Sequence, residues 1–364
     1  MFYELTIVVP TLNEVGNIEL LCNKIARALK EISWEIIFVD DNSTDGTKEL
    51  LTHISNKHEH VSAIHRTDRK GLSSACIEGM LASKAPIVAV MDADLQHDEG
   101  LLPLMLAEFS TTSLDIAVAS RFAAGAELGA FSAKRALLSN IGNFLSRLVI
   151  KVQLTDPLSG FFMLRTDVLK RLSQRLYGKG FKILLDIFAS SNKPLNFVEV
   201  PLKFSTRHSG ESKLDGTIAL EFVGLLCHKL FGKIIPLRFI LFCLVGLTGV
   251  GVHLMVLSSF HLFINTEFVW SQTIATYTAM TSNYFLNNSF TYRDKKLQGK
   301  RLIIGLLTFY LVCSAAAVLN VAFANLLYQS NIHWVIAGTA GAFIGAVLNY
   351  GLSSMFTWRK SKHI

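Results

Sequence analysis

The chain is poor in residues that staple or kink a fold, with seven prolines and five cysteines in 364 residues. The cysteines (Cys22, Cys76, Cys227, Cys243, Cys313) are scattered, odd in number and never spaced CxxC. That pattern excludes a disulfide framework or a thiolate zinc site and reads as reduced packing residues. No GxGxxG follows the first apolar run and no GxxxxGK[ST] occurs anywhere, so no glycine-rich turn holds a pyrophosphate. The opening MFYELTIVVPTLNE has no basic leader, so a cleaved signal peptide is not expected. Charge is also missing, selectively: four long stretches toward the C-terminus hold no Asp, Glu, Lys or Arg well inside them.

What is abundant is apolar surface. The chain is 51% hydrophobic, with a mean hydropathy of +0.39. The excess lies after Pro236, whereas residues 1–216 read as a mixed-charge globular domain. Stretches 237–264, 268–290, 302–328 and 334–358 each meet the roughly 20 apolar residues a membrane span needs. The loop RDKKLQGKR (293–301) carries five Lys or Arg, and Arg359, Lys360 and Lys362 follow the last stretch. The loops around 265–267 and 329–333 carry none. The positive-inside rule then places both termini and the first domain in the cytoplasm, in a multi-pass membrane protein. The net charge of +7 gathers at these borders, which favours a membrane over nucleic acid as the partner.

The apolar half repeats. NYFLNNSFTYR from Asn283 and NYGLSSMFTWR from Asn349 share N-Y-x5-F-T-aromatic-R at a period of 66. A two-plus-two duplication is expected, as in transport proteins. Asn283, Asn287, Asn320 and Asn349 lie within or near span ends and either line a headgroup path or bond between helices. Between the halves, residues 217–235 place Glu221, His228, Lys229 and Lys233 on one helical arc. This predicts an amphipathic helix in the membrane interface, with a buried core helix as the other reading.

In the first domain, LTIVVP, EIIFVD, VSAIHR, PIVAVM and DIAVAS read as strands alternating with helices, hence an α/β domain with a mostly parallel sheet. Ligands bind beyond the carboxyl ends of such strands. Polar groups collect there: Asn13 and Glu14 after the first run, Asp40, Asp41 and Ser43 after the second, Asp92, Asp94 and Gln96 after the fourth, Ser120 and Arg121 after the fifth. Ser43 or Thr44 also reads as a helix cap. Crowded carboxylates repel, so Asp92, Asp94 and Asp98 make sense around a cation. Oxygen-only ligands suit Mg²⁺ or Mn²⁺.

The ordered set VVPTLNE, VDDNSTDGT, DADLQH, ASRF, DPLSGFFMLR, GFKILLDI and RHSGESKL resembles family 2 glycosyltransferases acting on polyprenyl phosphates, of the dolichyl-phosphate mannose synthase type, over residues 4–215. The apolar half looks like the four-span, flippase-like domain fused to some members. The resemblance implies a glycosyltransferase A-type fold and a nucleotide pocket lined by Pro10, Glu14, Asp41 and Asp92. It implies a metal on Asp92, Asp94 and Gln96, and acceptor phosphate on Arg121, Arg135 and Ser139. Arg207, Ser212 and Lys213 would lie on a loop closing over the donor phosphates, and Asp94, Arg121 and Lys213 would act in catalysis. The family often has prolines where Asp98 and Glu99 stand, so a less rigid loop is expected here.

The implied reaction moves a hexose from a GDP-mannose- or UDP-glucose-type donor to a membrane polyprenyl (dolichyl or undecaprenyl) phosphate, with inversion. A phosphate monoester is largely dianionic at neutral pH, so no strong general base is required. Lys134 and Arg135 on one helix read either as a solvated face or as phosphate ligands. DPLSGF reads as a turn or as a loop shaping the acceptor side, and Asp186 as a helix-face or site-orienting residue. Two rivals stand beside this reading. A processive polysaccharide synthase is disfavoured because no QxxRW occurs. A transporter or flippase of lipid-linked sugar, with a nucleotide-sugar-binding regulatory domain, is separated from the enzyme by turnover.

Overall fold

Five aliphatic, β-branched runs form the strands expected of them, and two more join them. The computed structural model describes residues 2–67, 71–111, 113–126, 133–203, 216–232, 236–260, 264–332 and 334–359. It divides into two compact units, Met1–Gly232 and Lys233–Ile364.

In the first unit the strands are β1 (Leu5–Thr11), β2 (Trp34–Asp40), β3 (Val61–His65), β4 (Ile87–Val90), β5 (Ile116–Ser120), β6 (Phe162–Arg165) and β7 (Phe197–Pro201). They form one sheet in the order β3-β2-β1-β4-β6-β5-β7. β1 pairs in parallel with both β2 and β4, and β5 with β7. β6 runs antiparallel to β4 and β5, so the sheet is mixed. The helices are α1 (Ile18–Ala28), α2 (Thr47–Lys57), α3 (Leu72–Ala82), α4 (Leu101–Thr111), α5 (Ala133–Ser146), α6 (Thr166–Leu172), α7 (Ile183–Ser190) and α8 (Gly216–Phe231).

Strand pleating sends alternate side chains to opposite faces. Leu5, Ile7 and Val9 of β1 pack with Ile18, Leu21 and Ile25 of α1 and with Leu102 and Met105 of α4. Val8 packs on the other face with Ala75 and Met80 of α3, Leu184 of α7 and Leu225 of α8. The sheet is therefore buried on both sides, as its uninterrupted apolar strands require.

α8 corrects the expected polar arc. Leu225, Leu226 and Cys227 are buried against the core, and Lys229 lies 2.6 Å from Asp186 in a buried ion pair. Lys229 also donates to Ser190 Oγ at 2.7 Å. Asp186 in turn accepts the Tyr177 and Gly178 amides, so it ties α7 and α8 together. Lys233 lies outside the described residues.

The second unit holds α9 (Leu237–Ser258), α10 (Phe268–Leu286), α11 (Lys300–Gln329) and α12 (Trp334–Leu352). Among the described residues, two helical segments, Arg238–Ser258 and Lys300–Leu319, are long and apolar enough to cross a membrane. α10 and α12 each run on into a π turn, Asn287–Thr291 and Ser353–Thr357. The turns are closed by Tyr292 N donating to Asn287 O (2.8 Å) and Trp358 N to Ser353 O (3.0 Å). Segments 66 residues apart thus share one backbone path. The residues that follow, Tyr292 and Trp358, stack face to face with centroids 4.1 Å apart.

Candidate active site

The carboxyl ends of β1, β2 and β4 lie side by side: Thr11 pairs with Asp40, and Val8 with Val90. The loops beyond them are laced together. Asn13, at φ 56°, donates its amide to Ser43 Oγ and accepts Thr44 N on its side-chain oxygen. Glu14 N donates to Thr47 Oγ1, and Glu14 Oε2 accepts from Asn17 Nδ2. Ser43 itself donates to Asp40, while Asp45 accepts Thr47 N. The N-terminal turn of α2 is thus capped by Asp45 instead of the expected Ser43 or Thr44.

Asp41 is buried and charged, which requires partners. Arg66 Nη1 lies 2.9 Å from Asp41 Oδ1, and Gly71 N donates to Oδ2 at 2.7 Å. Arg66 carried no sequence signal, because it follows β3 and meets Asp41 only through the sheet. Pro10 is buried near the end of β1.

The turn DADLQH is bent by Leu95 at φ 62°, a conformation costly for a leucine. The bend returns Gln96 N to Asp94 Oδ1 at 3.2 Å. Asp92 N donates to His97 Nδ1 at 3.1 Å, and the His97 ring stacks on Phe161 at 5.2 Å. His97 is a buried brace of the Asp92 turn. Gly160 of DPLSGF lies against the acidic turn: a Cβ there would lie 3.0 Å from Asp92 Oδ2 and press on the carboxylate. The Asp98–Glu99 segment is fastened despite lacking prolines, since Asp98 Oδ1 accepts Gly100 N and Glu99 pairs with Lys24 of α1 at 3.2 Å.

Arg121 makes a two-pronged bond to buried Asp156, Nε to Oδ2 at 2.7 Å and Nη2 to Oδ1 at 2.8 Å. Asp156 stands in a loop whose Thr155 and Asp156 amides donate to Glu199 of β7. Burial opposes the Arg121 charge, but Asp156 and then Asp92 outweigh it, so the guanidinium is held more firmly charged than usual. Lys182, beside α7, feels Arg121, Asp156 and Asp92 together. Burial, then Arg121, pushes its ammonium below the usual lysine range against the pull of the two carboxylates. Asp92 and Asp41 both raise the buried Cys76 thiol as well, after burial itself, so the two acidic turns share one neighbourhood.

Lys182 was not singled out by sequence reasoning, and Asp156 was read there only as part of a turn or loop, without its bond to Arg121. The signal for Lys182 was a lysine heading the apolar FKILL run. Ser139 lies on α5, whose Asn143 Nδ2 donates to Thr155 O, so that helix is tied to the loop that clamps Arg121. Arg135 belongs to the same helix; its side chain, like that of Lys134, lies outside the described residues, as do Arg207, Ser212 and Lys213.

The donor set fits a divalent metal of the Mg²⁺ or Mn²⁺ kind. Asp92, Asp94 and Gln96 can offer oxygen, and the missing side chain of Gly160 avoids a close contact with Asp92 Oδ2. Among the described residues no three His, Cys, Asp or Glu form a closed cage. A metal shared with a diphosphate needs only one or two carboxylates.

Comparison with known proteins agrees with this organisation. Glycosyl transferase family 2 matches residues 6–173, and the GtrA/DPMS transmembrane domain matches residues 241–358. A dolichol-phosphate mannosyltransferase of Pyrococcus furiosus is 33% identical over 98% of this chain and 99% of its own length. The protein of that name from Saccharomyces cerevisiae is 31% identical over 61% of this chain and 85% of its own length. Among solved structures, glucosyl-3-phosphoglycerate synthase from Mycobacterium tuberculosis superposes with a TM-score of 0.49 at 17% identity, over 62% of this chain and 80% of that one. Similarity that runs the whole length of a named mannosyltransferase, through both the sheet domain and the membrane domain, places this chain in the dolichol-phosphate mannosyltransferase family of family 2 glycosyltransferases.

Proposed function

We propose that this chain transfers a hexose from a nucleotide-sugar to the phosphate of a membrane polyprenyl lipid, with inversion at the anomeric carbon. The observation that carries the reading is the gathering of Arg121, Lys182, Asp156 and Asp92 beside an oxygen-only donor set at the carboxyl edge of the sheet.

Asp92, Asp94 and Gln96 would hold a divalent metal, which would supply positive charge to the leaving diphosphate. Pro10, Glu14 and Asp41 bound the nucleoside. Arg121, Arg135 and Ser139 take the acceptor phosphate, and Lys182 adds a cation to that side. Held by Asp156, the Arg121 fork stays oriented between substrates. A phosphate oxygen attacks the anomeric carbon, the bond to the diphosphate breaks, and the nucleoside diphosphate leaves with the electron pair. The attacking dianion gives up no proton, so no base acts. Arg207, Ser212 and Lys213 close on the donor phosphates.

A long-chain acceptor stays in the membrane, so the site works at its surface. α5, which carries Arg135 and Ser139, exposes Ile141 and Phe144, and the turn after it exposes Arg147 and Leu148, a surface suited to lipid. α9–α12 are four spans arising from a two-plus-two duplication, with both termini and the catalytic unit cytoplasmic.

The test is incubation of the purified full-length protein with Mn²⁺, a short polyprenyl phosphate and a panel of labelled nucleotide-sugars, beside Asp94→Asn. One donor giving an organic-extractable sugar lipid, absent with the variant, supports the reading. Binding of nucleotide-sugar without turnover overturns it in favour of a transport role.

A further inference from the structure

The membrane unit carries a half-open cavity of about 320 Å³, at the small end of ligand pockets. It is lined by matching residues of the two repeats: Asn283 and Asn349, Phe242 and Phe309, Met280 and Ala346. Members of each pair stand 66 or 67 positions apart, so the cavity lies where the repeats face each other. It sits toward the ends of the helices nearest the basic loop 293–301, since Phe242 and Phe309 are early in α9 and α11 and the asparagines late in α10 and α12.

Its polar groups are carboxamides. Asn349 pairs with Cys313 Sγ at 3.4 Å and accepts from Ser353. Asn287, also on the wall, accepts from Thr291. Asn283 packs against Gly249, where a Cβ would collide with its amide, and its side-chain oxygen is buried with no hydrogen-bond partner. An orphaned acceptor at membrane depth is costly and calls for a donor from outside the helices. No acidic or basic residue lines the cavity among the described residues, so neither a phosphate nor a cation is matched. Amides that both donate and accept, between two phenyl faces, match hydroxyl groups on an apolar ring frame.

We propose that this cavity binds the neutral hexosyl headgroup of a lipid-linked sugar. The inference extends the proposed transferase by giving the membrane unit a site of its own for the sugar. The shared chemistry is the hexosyl group, whether it comes from the transferase's own product or from another glycolipid.

Cys313 lines the cavity and reports on it. The full-length protein in lipid nanodiscs is treated with a small methanethiosulfonate, and modification of Cys313 is followed by peptide mass spectrometry. Citronellyl phosphohexose, citronellyl phosphate and an alkyl hexoside are added in parallel. The hexose-bearing lipid is expected to slow Cys313 labelling about tenfold at about ten times its half-protecting concentration, by occupancy. Citronellyl phosphate leaves the rate unchanged. Protection by the phosphohexose alone assigns the ligand to the transferase's product, and protection by the alkyl hexoside as well assigns it to glycolipids at large. Equal protection by citronellyl phosphate, or none by any lipid, overturns the proposal. Asn283→Ala is expected to raise the half-protecting concentration of the phosphohexose about tenfold, the value of one satisfied buried acceptor. Ala346→Leu, which fills the cavity from the other repeat, abolishes protection and serves if the first variant does not fold. Turnover of the unmodified protein is measured in the same preparation. Turnover without protection removes this inference alone, and protection without turnover removes the transferase reading alone.

Discussion

Arg121 and Asp156, thirty-five residues apart, meet in a two-pronged ion pair at 2.7 and 2.8 Å, with the carboxylate fully buried. Removing one partner of such a pair leaves a buried charge unanswered, at a cost of about 3–5 kcal/mol. Asp156→Ala is expected to lower stability by about 3 kcal/mol in chemical unfolding. Asp156→Asn keeps the shape, so the protein folds while its kcat falls by roughly tenfold to a hundredfold as the Arg121 fork loosens. Arg121→Lys, which loses the fork but keeps the charge, is expected to resemble Asp156→Asn. An Asp156→Asn enzyme with unchanged kcat would show that Asp156 only holds the fold.

Gly160 touches the metal side. A methyl group there meets Asp92 Oδ2 at 3.0 Å. Gly160→Ala is expected to displace that carboxylate and weaken the metal by about tenfold, the scale of a disturbed support around a ligand. The measurement is the Mn²⁺ concentration for half-maximal turnover. The effect should appear there and largely vanish at saturating metal.

Lys182 is half-buried and feels the Arg121 charge, so its ammonium is destabilised in the fold. Its folded pKa lies below the ordinary 10.5, so the unfolded chain binds the proton more tightly. Stability therefore rises with pH as the folded group gives up its proton, and the penalty is in full force below the folded pKa. Lys182→Met is expected to raise the melting temperature at pH 7 while lowering turnover. It should also remove an alkaline fall in rate that begins below the ordinary lysine value. A lower melting temperature with full activity would assign Lys182 to packing.

Lys229 and Asp186 join α8 to α7 at 2.6 Å with both side chains buried. Lys229→Ala is expected to cost about 3 kcal/mol, read by thermal unfolding. If α8 instead faced only a lipid surface, the substitution would change membrane association and leave unfolding alone.

Trp358 is fully buried, stacked on Tyr292 and bonded through Nε1 to Asn288. Trp358→Ala is expected to cost about 3–5 kcal/mol, as for other buried tryptophans. Denaturant titration of the full-length protein in micelles measures it. Tyr292→Ala should cost less, since it leaves the indole bond to Asn288 in place.

Local pattern carried much of this. β1 to β5 were legible because runs such as LTIVVP are apolar on both faces and end in polar turns. The acidic edge at Asp92 and Asp94 was legible because repulsion between close carboxylates shows in the sequence itself. β6 was not, since FMLR is too short to read as a strand, and its antiparallel place between β4 and β5 is set by partners 46 to 78 residues away. Lys229 was read as a polar-arc residue because a helical wheel does not show Asp186 waiting on another helix.

The sequence by itself determined the first five strands, the division between a charged half and an apolar half, and the 66-residue repeat, because each rests on a local pattern or on composition. Only the tertiary structure decided that Asp156 holds Arg121, that Lys182 joins them, that Gly160 lies against Asp92, and that Asn283 and Asn349 face one cavity. Those are contacts between groups dozens of residues apart. Their energies depend on distance and burial in space, which no local pattern encodes.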